Sequence, residues 1–202
     1  GIASNEAAAI GTLRTLSTSQ SQFQSAAIVD VDGDGTGEFG WLQELAGTLN
    51  YRTSGGVSTA AASPAFITSV LGTTAANNSG VAGKSGYQFL MYLPADAGTA
   101  IDENAGAGMP VTLDANDQEV RFACYAWPAS LGNSGNRAFV VSQQGEVFST
   151  ANKDFQNYGG TALVDAPPPE AAFIGDDPDN LDGTLVTGTD AADGQTWLPA
   201  GN

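Results

Sequence analysis

The sequence predicts an α+β fold. An amphipathic N-terminal helix would pack on an antiparallel β-sheet of about four strands, with long loops and an acidic, loop-rich C-terminal tail. Three observations predict it. Apolar side chains between residues 10 and 27 recur at intervals of three and four, the period of a helix face. From Tyr87 the period changes to two, the alternation of a half-buried strand. Around these segments lie stretches rich in Gly, Ser, Asp and Pro in which neither period persists. The 202 residues suit one domain, read as a helix (4–28), an acidic loop and linking region with short helices (29–86), a sheet (87–150) and the tail (151–202).

In the first helix, Ile10, Leu13, Leu16, Gln20, Phe23 and Ala27 share one face. Ser4 or Asn5 suits the N-cap, and Glu6 suits the positive first turn. The opposite face carries Thr, Ser, Gln and Arg14, so the apolar stripe is narrow, as for a helix that leans on a sheet. "GEFGWLQELAG" predicts a short helical turn ending at Gly47. "SPAFITSVLG" predicts a further helix, with Ser63 as cap, Pro64 in the first position and Gly72 beyond the end. The small-residue stretches "TSGGVSTAAAS" and "GTTAANNSG" read as loops.

In "YQFLMYLP", Tyr87, Phe89, Met91 and Leu93 fall on one face of a strand. In "VRFACYAWP", Val120, Phe122, Cys124 and Ala126 do the same, with Tyr125 and Trp127 on the other side. "RAFVVSQQGEVFS" reads as two strands joined at Gln144-Gly145. After "DAPPPE" the tail has no period. Phe173, Ile174, Leu181, Leu185, Val186 and Trp197 give it apolar anchors, which predicts an ordered tail lying on the sheet.

Charge and composition exclude several functions. The formal charge of −16, from 22 acids against 6 bases, opposes binding to nucleic-acid phosphates or anionic lipid. It favours divalent cations. The chain has no histidine, which removes Ser-His-Asp, Cys-His and His-zinc chemistry. Cys124 is the one cysteine, so no intramolecular disulfide forms, and its place in the strand alternation makes it a packing residue. Carboxylates are abundant, but no spacing singles out a catalytic pair. The start "GIASNEAAAIG" is not a signal peptide and no apolar run has the length of a membrane span; the protein is soluble, or its anchor belongs to a longer precursor. Asn77 begins the sequon "NNS".

The densest charge lies in "DVDGDGTGEFGW". Asp30, Asp32 and Asp34 occupy positions one, three and five of an EF-hand-like loop, with Gly35 at six, the Thr36 carbonyl at seven and Glu38 at nine. Position twelve is Trp41 instead of the usual bidentate glutamate, and Glu44 comes three residues late. Two readings stand. One is a structural Ca²⁺ site of the weak extracellular kind, with Kd of roughly 10⁻⁴–10⁻³ M; oxygen-only ligands suit calcium over zinc. The other is a loop of Asx-turns with free carboxylates.

The segment "SNEAAAIGTLRTLSTSQSQFQ" resembles the helix that follows the membrane anchor in bacterial type IV pilins and type II secretion pseudopilins. "SGYQFLMYLP" and "FACYAWPASLGNSGNRAFVVSQQGEVF" resemble the sheet of one pseudopilin-like subgroup, in which a segment like "DVDGDGTGEFG" also follows the helix. The resemblance covers roughly residues 4–150. The family's processed N-terminal apolar segment, with a glutamate near its start, does not occur in these residues; Glu6 sits in a polar context and is not that glutamate. The resemblance implies about 25 more apolar residues upstream, enough to span a bilayer. It further implies a non-catalytic headgroup that self-assembles with other pilin or pseudopilin subunits, is anchored in the inner membrane before assembly, and works in the periplasm or outside the cell. Because major pseudopilins hold calcium in a C-terminal loop, it also implies a second candidate site in "GDDPDNLDG", at Asp176, Asp177, Asp179, Asn180 and Asp182; a solvated acidic turn is the alternative there. Two other functions stand beside the filament subunit: a calcium-stabilised surface adhesin and a carboxylate-based hydrolase.

Overall fold

The structure is a computed structural model that describes residues 1–54, 56–73, 80–95, 99–106, 114–154, 157–174, 181, 183–185 and 188–201. Helix α1 (Ile2–Ser25) buries Ala9, Ile10, Leu13, Leu16, Gln20 and Phe23, the stripe that the three-and-four spacing predicts. Ala27 falls beyond its end at φ 52°. Neither Ser4 nor Asn5 caps the helix, which is already helical at Ile2. Asn5 instead donates through Nδ2 to the Ser134 carbonyl (3.0 Å). Glu6 also faces away from the helix start: it accepts from the Asn136 and Arg137 amides and pairs with the Arg137 guanidinium at 2.9 Å.

Two short ribbons flank a larger antiparallel sheet: β1 (Arg52–Thr53) with β2 (Gly56–Val57), and β9 (Phe173–Ile174) with β10 (Thr184–Leu185). The sheet itself has seven strands, not four. Its centre is the run of four that the alternation predicts: β4 (Tyr87–Pro94), β6 (Ala123–Pro128), β7 (Ala138–Ser142) and β8 (Val147–Thr150), each antiparallel to the next. The additional strands are edges of two or three residues. β3 (Ala82–Lys84) and β5 (Ala100–Asp102) share the far edge of β4, and β11 (Leu198–Pro199) joins β8. Strands this short give a period of two nothing to repeat.

Alternation assigns the two faces of the sheet. Tyr87, Phe89, Met91 and Leu93 of β4, with Cys124 and Ala126 of β6, face α1 in one apolar cluster. Val120 does not join them. A single turn, α4 (Ala115–Gln118), capped by Asp114, precedes the strand and leaves Val120 53% exposed in the turn beyond. The other face carries Leu90, Tyr125, Trp127 and Val140 and is covered by the tail through Ala171, Ala172, Phe173, Leu181, Leu185 and Trp197. Three polar tips on this face reach tail carbonyls: Tyr92 Oη to Pro167 (2.6 Å), Tyr125 Oη to Pro169 (2.8 Å) and Trp127 Nε1 to Gly160 (2.9 Å). These bonds let large amphipathic rings be buried without orphaned donors. Ile174 is 40% exposed, and Val186 lies outside the described residues.

The linking region carries α2 (Leu42–Leu45), ending before Gly47 at φ 74° as the sequence predicts. "SPAFITSVLG" does not form the expected α-helix. The Ile67 amide, which would open the i to i−4 ladder on Ser63, donates instead to the Leu45 carbonyl, as does the Phe66 amide, and the Phe66 carbonyl accepts from Ser19 Oγ. Only Ser69–Gly72 winds, as a 3₁₀ turn behind Thr68.

The linking region is fastened by a buried polar group centred on Arg52. Its guanidinium pairs with Glu44 (3.0 Å) and donates to Gln118 Oε1 (2.5 Å) and to the Phe39 carbonyl (2.8 Å). Beside it, Glu103, at the start of the single turn α3 (Glu103–Gly106), accepts from the Leu42 and Gln43 amides and from Gln43 Nε2.

Two predictions follow from this packing. Cys124 is fully buried, and burial pushes its thiol well above the usual range. A polar thiol reagent should therefore label it slowly in the native protein and fast in denaturant; fast native labelling would put the residue on the wrong face. Burial also pushes the Glu103 carboxyl from 4.5 up to about 7, outweighing its three donors. The folded state thus holds this proton more tightly than the unfolded chain. The resulting stabilisation is complete below about pH 4.5 and is lost as the pH rises through about 7, a change on the order of 3 kcal/mol. Urea unfolding in chelator should show stability falling from about pH 5 to about pH 8, and Glu103→Gln should reduce that fall. A flat wild-type profile would contradict the assignment.

Candidate metal centre

The acidic loop sits where α1 hands over to the sheet, and α1 positions it. The side-chain amide of Gln20, fully buried, exchanges two hydrogen bonds of 2.8 Å with the amide and carbonyl of Gly40. One turn on, Gln24 Nε2 donates to the Gly37 carbonyl (3.2 Å). Residues 37–40 therefore run along the helix as an extended strand would. The two glycines permit the approach. A Cβ on Gly37 would lie 2.1 Å from the Gln24 carbonyl oxygen, and one on Gly40 would lie 2.9 Å from the Phe23 ring. On the other side, the Phe39 amide donates to the Gln118 carbonyl (2.8 Å). That bond brings the turn after α4 against the loop, with Phe39 and Phe122 edge to face at 4.8 Å.

The loop closes on itself from both ends. The Glu38 amide donates to the Val29 carbonyl (2.8 Å), and Glu38 Oε2 accepts from the Val31 amide (2.6 Å). Asp30 accepts from the Asp34 and Gly35 amides (3.2 and 2.9 Å), Asp32 from the Asp34 amide (3.3 Å), and Asp34 from the Thr36 amide (2.8 Å). The Asp32 and Asp34 bonds are the Asx-turns of the second sequence reading, and Asp30 spans the loop to Asp34 and Gly35. They coexist with the convergence that the first requires. Asp30, Asp32 and Glu38 each bring a carboxylate oxygen within 4.8 Å of the others. Asp32, Asp34 and Glu119 form a second trio on the same criterion. Thr36 is exposed and enters the loop through its amide.

Glu119 is the member the sequence does not disclose. Trp41 at position twelve signals that the loop lacks a carboxylate, but nothing local says that one arrives from a turn about eighty residues away. The position of Glu119 follows from the pairing of Phe39 with Gln118.

The electrostatics reflect this crowding. Burial pushes Glu38 up to about 7, with Asp32 and Asp30 adding to it and the Val31 amide and Arg52 opposing it. Glu119 is also pushed up to about 7, by burial first and then by Asp34, Asp32 and Glu38. Asp32, though exposed, is raised by local desolvation and by Asp30 and Asp34; Asp34 is lowered, chiefly by the Thr36 amide. Among the described residues none of the salt bridges reaches these carboxylates. The second candidate, Asp176, Asp177, Asp179, Asn180 and Asp182, lies outside the described residues, as does Asn77.

A helix-led α+β protein with an acidic loop at the helix–sheet joint is thus the class defined by fold and site. Residues 1–159 match the model of a family described as a protein of unknown function, DUF2950, and the chain belongs to that family. No curated protein and no solved structure matches the chain.

The close approach of residues 37–40 to α1 is open to test. Gly37→Ala forces a backbone shift and should destabilise the protein by about 1–3 kcal/mol. Gly11→Ala, on the exposed side of α1 with nothing within 4 Å, should leave stability equal or raise it by up to about 1 kcal/mol. Thermal melts of the two variants decide it: equal melting temperatures would mean the loop does not lie against the helix.

Proposed function

We propose that this chain is the non-catalytic headgroup of a filament subunit of the type IV pilus or type II secretion pseudopilus kind. The observation that carries the reading is the one-sided packing of α1. Its apolar stripe lies on the sheet, while Ala8, Gly11, Thr12 and Thr15 stay at the surface and line a groove of about 400 Å³ with Ile67 and Leu71. Small residues on a helix face let a neighbouring helix approach closely. On the far face the tail covers the described apolar residues. The resemblance of α1 and of the sheet segments to pilin-like proteins supports the same reading.

In this reading the subunits contact one another through α1. No helix among the described residues is long and apolar enough to cross a membrane. The resemblance to pilin-like proteins implies an inner-membrane anchor, and in this reading the headgroup works in the periplasm or outside the cell. The charge of −16 argues against nucleic acid as a partner.

Expression of the complete gene, followed by fractionation and electron microscopy, tests it. The protein should be found in the envelope or in filaments. Gly11→Leu should fold with a melting temperature at or slightly above wild type, since the position is open and helical, yet reduce filament yield severalfold. A wholly cytoplasmic protein without filaments would overturn the proposal. Normal assembly of Gly11→Leu would remove α1 as the contact surface.

A further inference from the structure

The geometry points to one Ca²⁺ site shared between the acidic loop and Glu119, built from two segments of chain and not from the loop motif alone. The inference stands independently of the filament reading. Its first support is convergence. Oxygens bound to one Ca²⁺ at about 2.3–2.6 Å are at most about 5 Å apart. Each trio, Asp30–Asp32–Glu38 and Asp32–Asp34–Glu119, already fits within 4.8 Å. Asp32 belongs to both trios, so they meet at that residue, and an ion seated beside Asp32 would draw the outer carboxylates of the two trios toward one centre.

The second support is an orphaned oxygen. Glu38 has no solvent exposure, and while its Oε2 holds the Val31 amide, its Oε1 is buried without any hydrogen-bond partner. A buried acceptor left unpaired is costly, and native proteins seldom tolerate one without a reason. This oxygen belongs to the carboxylate that converges with Asp30 and Asp32. A cation there gives it a partner. Glu119 is partly exposed and its carboxyl meets that of Asp34, but its Oε1 is also buried without a hydrogen-bond partner. Glu119 thereby supplies the carboxylate that Trp41 cannot at position twelve.

The donor set selects the ion. It is entirely oxygen, which suits a hard cation. Carboxylates carried on a loop and on a separate turn suit the larger, flexible Ca²⁺ shell better than the tight octahedron of Mg²⁺. The role is structural: the ion joins residues 30–38 to the turn after α4, and no bond is made or broken there.

The test uses the full chain, stripped with chelator and dialysed. Titration calorimetry with CaCl₂ should give one ion per chain with Kd of roughly 10⁻⁴–10⁻³ M. At a hundredfold excess over Kd the melting temperature should rise by about 5–10 °C, and MgCl₂ should do much less. Asp32→Asn, at an exposed position, and Glu119→Gln should each weaken Ca²⁺ at least tenfold. A second readout is independent of variant folding. Substoichiometric Mn²⁺ should broaden the amide resonances of residues 32–35 and of residues 119–120 together. Absence of calcium heat and of any melting shift overturns the site. Binding that both variants leave unchanged places the ion elsewhere, in residues 176–182 for instance, and overturns it too. Broadening confined to residues 32–35 overturns the two-segment arrangement.

Discussion

The rest of the fold depends on the pairing of the buried Gln20 side chain with the backbone of Gly40. A primary amide carries one acceptor and two donors, and at Gln20 it does what a neighbouring strand would do, taking the N–H and the C=O of one residue at 2.8 Å each. Without it, the chain leaving α1 would bury those two backbone groups unsatisfied. With it, residues 37–40 are fixed along the helix, Phe39 is presented to Gln118, and the Phe39 carbonyl receives the Arg52 guanidinium. Glutamine at the centre of an apolar helix stripe thus serves as a register pin, and the glycines at 37 and 40 are its steric condition.

Legibility in the sequence followed the range of each interaction. α1, the four central strands and the Gln144-Gly145 turn were readable because their periods are local and long enough to repeat. The face of Cys124 was readable for the same reason. The edge strands were not, since two or three residues carry no period and pair only because a neighbour is already in place. The "SPAFITSVLG" helix failed because the Leu45 carbonyl captured the Ile67 amide that would open its ladder, a tertiary bond that local capping signals cannot anticipate. In the acidic loop, Asp30, Asp32, Asp34 and Glu38 were legible from spacing. Glu119 was not, because only the fold brings it there. Gln20 was visible in the apolar stripe, but its partner was not.

Buried charge in this chain is concentrated at the helix–sheet joint. Arg52, Glu44 and Glu103 are each almost wholly buried, close to the loop of carboxylates. Burying such groups is costly unless they are paired and hydrogen-bonded; Arg52 and Glu44 pair with each other, and Glu103 has three donors yet keeps its proton up to about pH 7. Three of the group's partners, the Phe39 carbonyl, Gln118 and the Leu42 amide, belong to segments that are distant in sequence. A hydrophobic substitute for Arg52 could fill the same volume, but it could not hold the loop, α4 and α2 in one relative position. Conformational specificity accounts for such a group better than stability does.

The two faces of the sheet are consequently held by different physics. The tail-side face is closed by large rings whose polar tips find tail carbonyls, so burial and satisfaction come together and the surface is spent within the chain. The helix-side face is closed by an apolar stripe, but the joint between helix and sheet adds a set of polar contacts, through Gln20, Gln24, Arg52, Gln118 and the carboxylates, beside the Phe39–Phe122 pair. A polar joint is geometrically strict, because hydrogen bonds and ion contacts fail over a few tenths of an ångström where apolar contacts merely loosen. It is also sensitive to ions and protons in a way that an apolar joint is not. The angle between α1 and the sheet is therefore set by the groups that respond to solution conditions. In the filament subunit we propose, meeting its neighbours through α1, that angle would be what the assembly repeats.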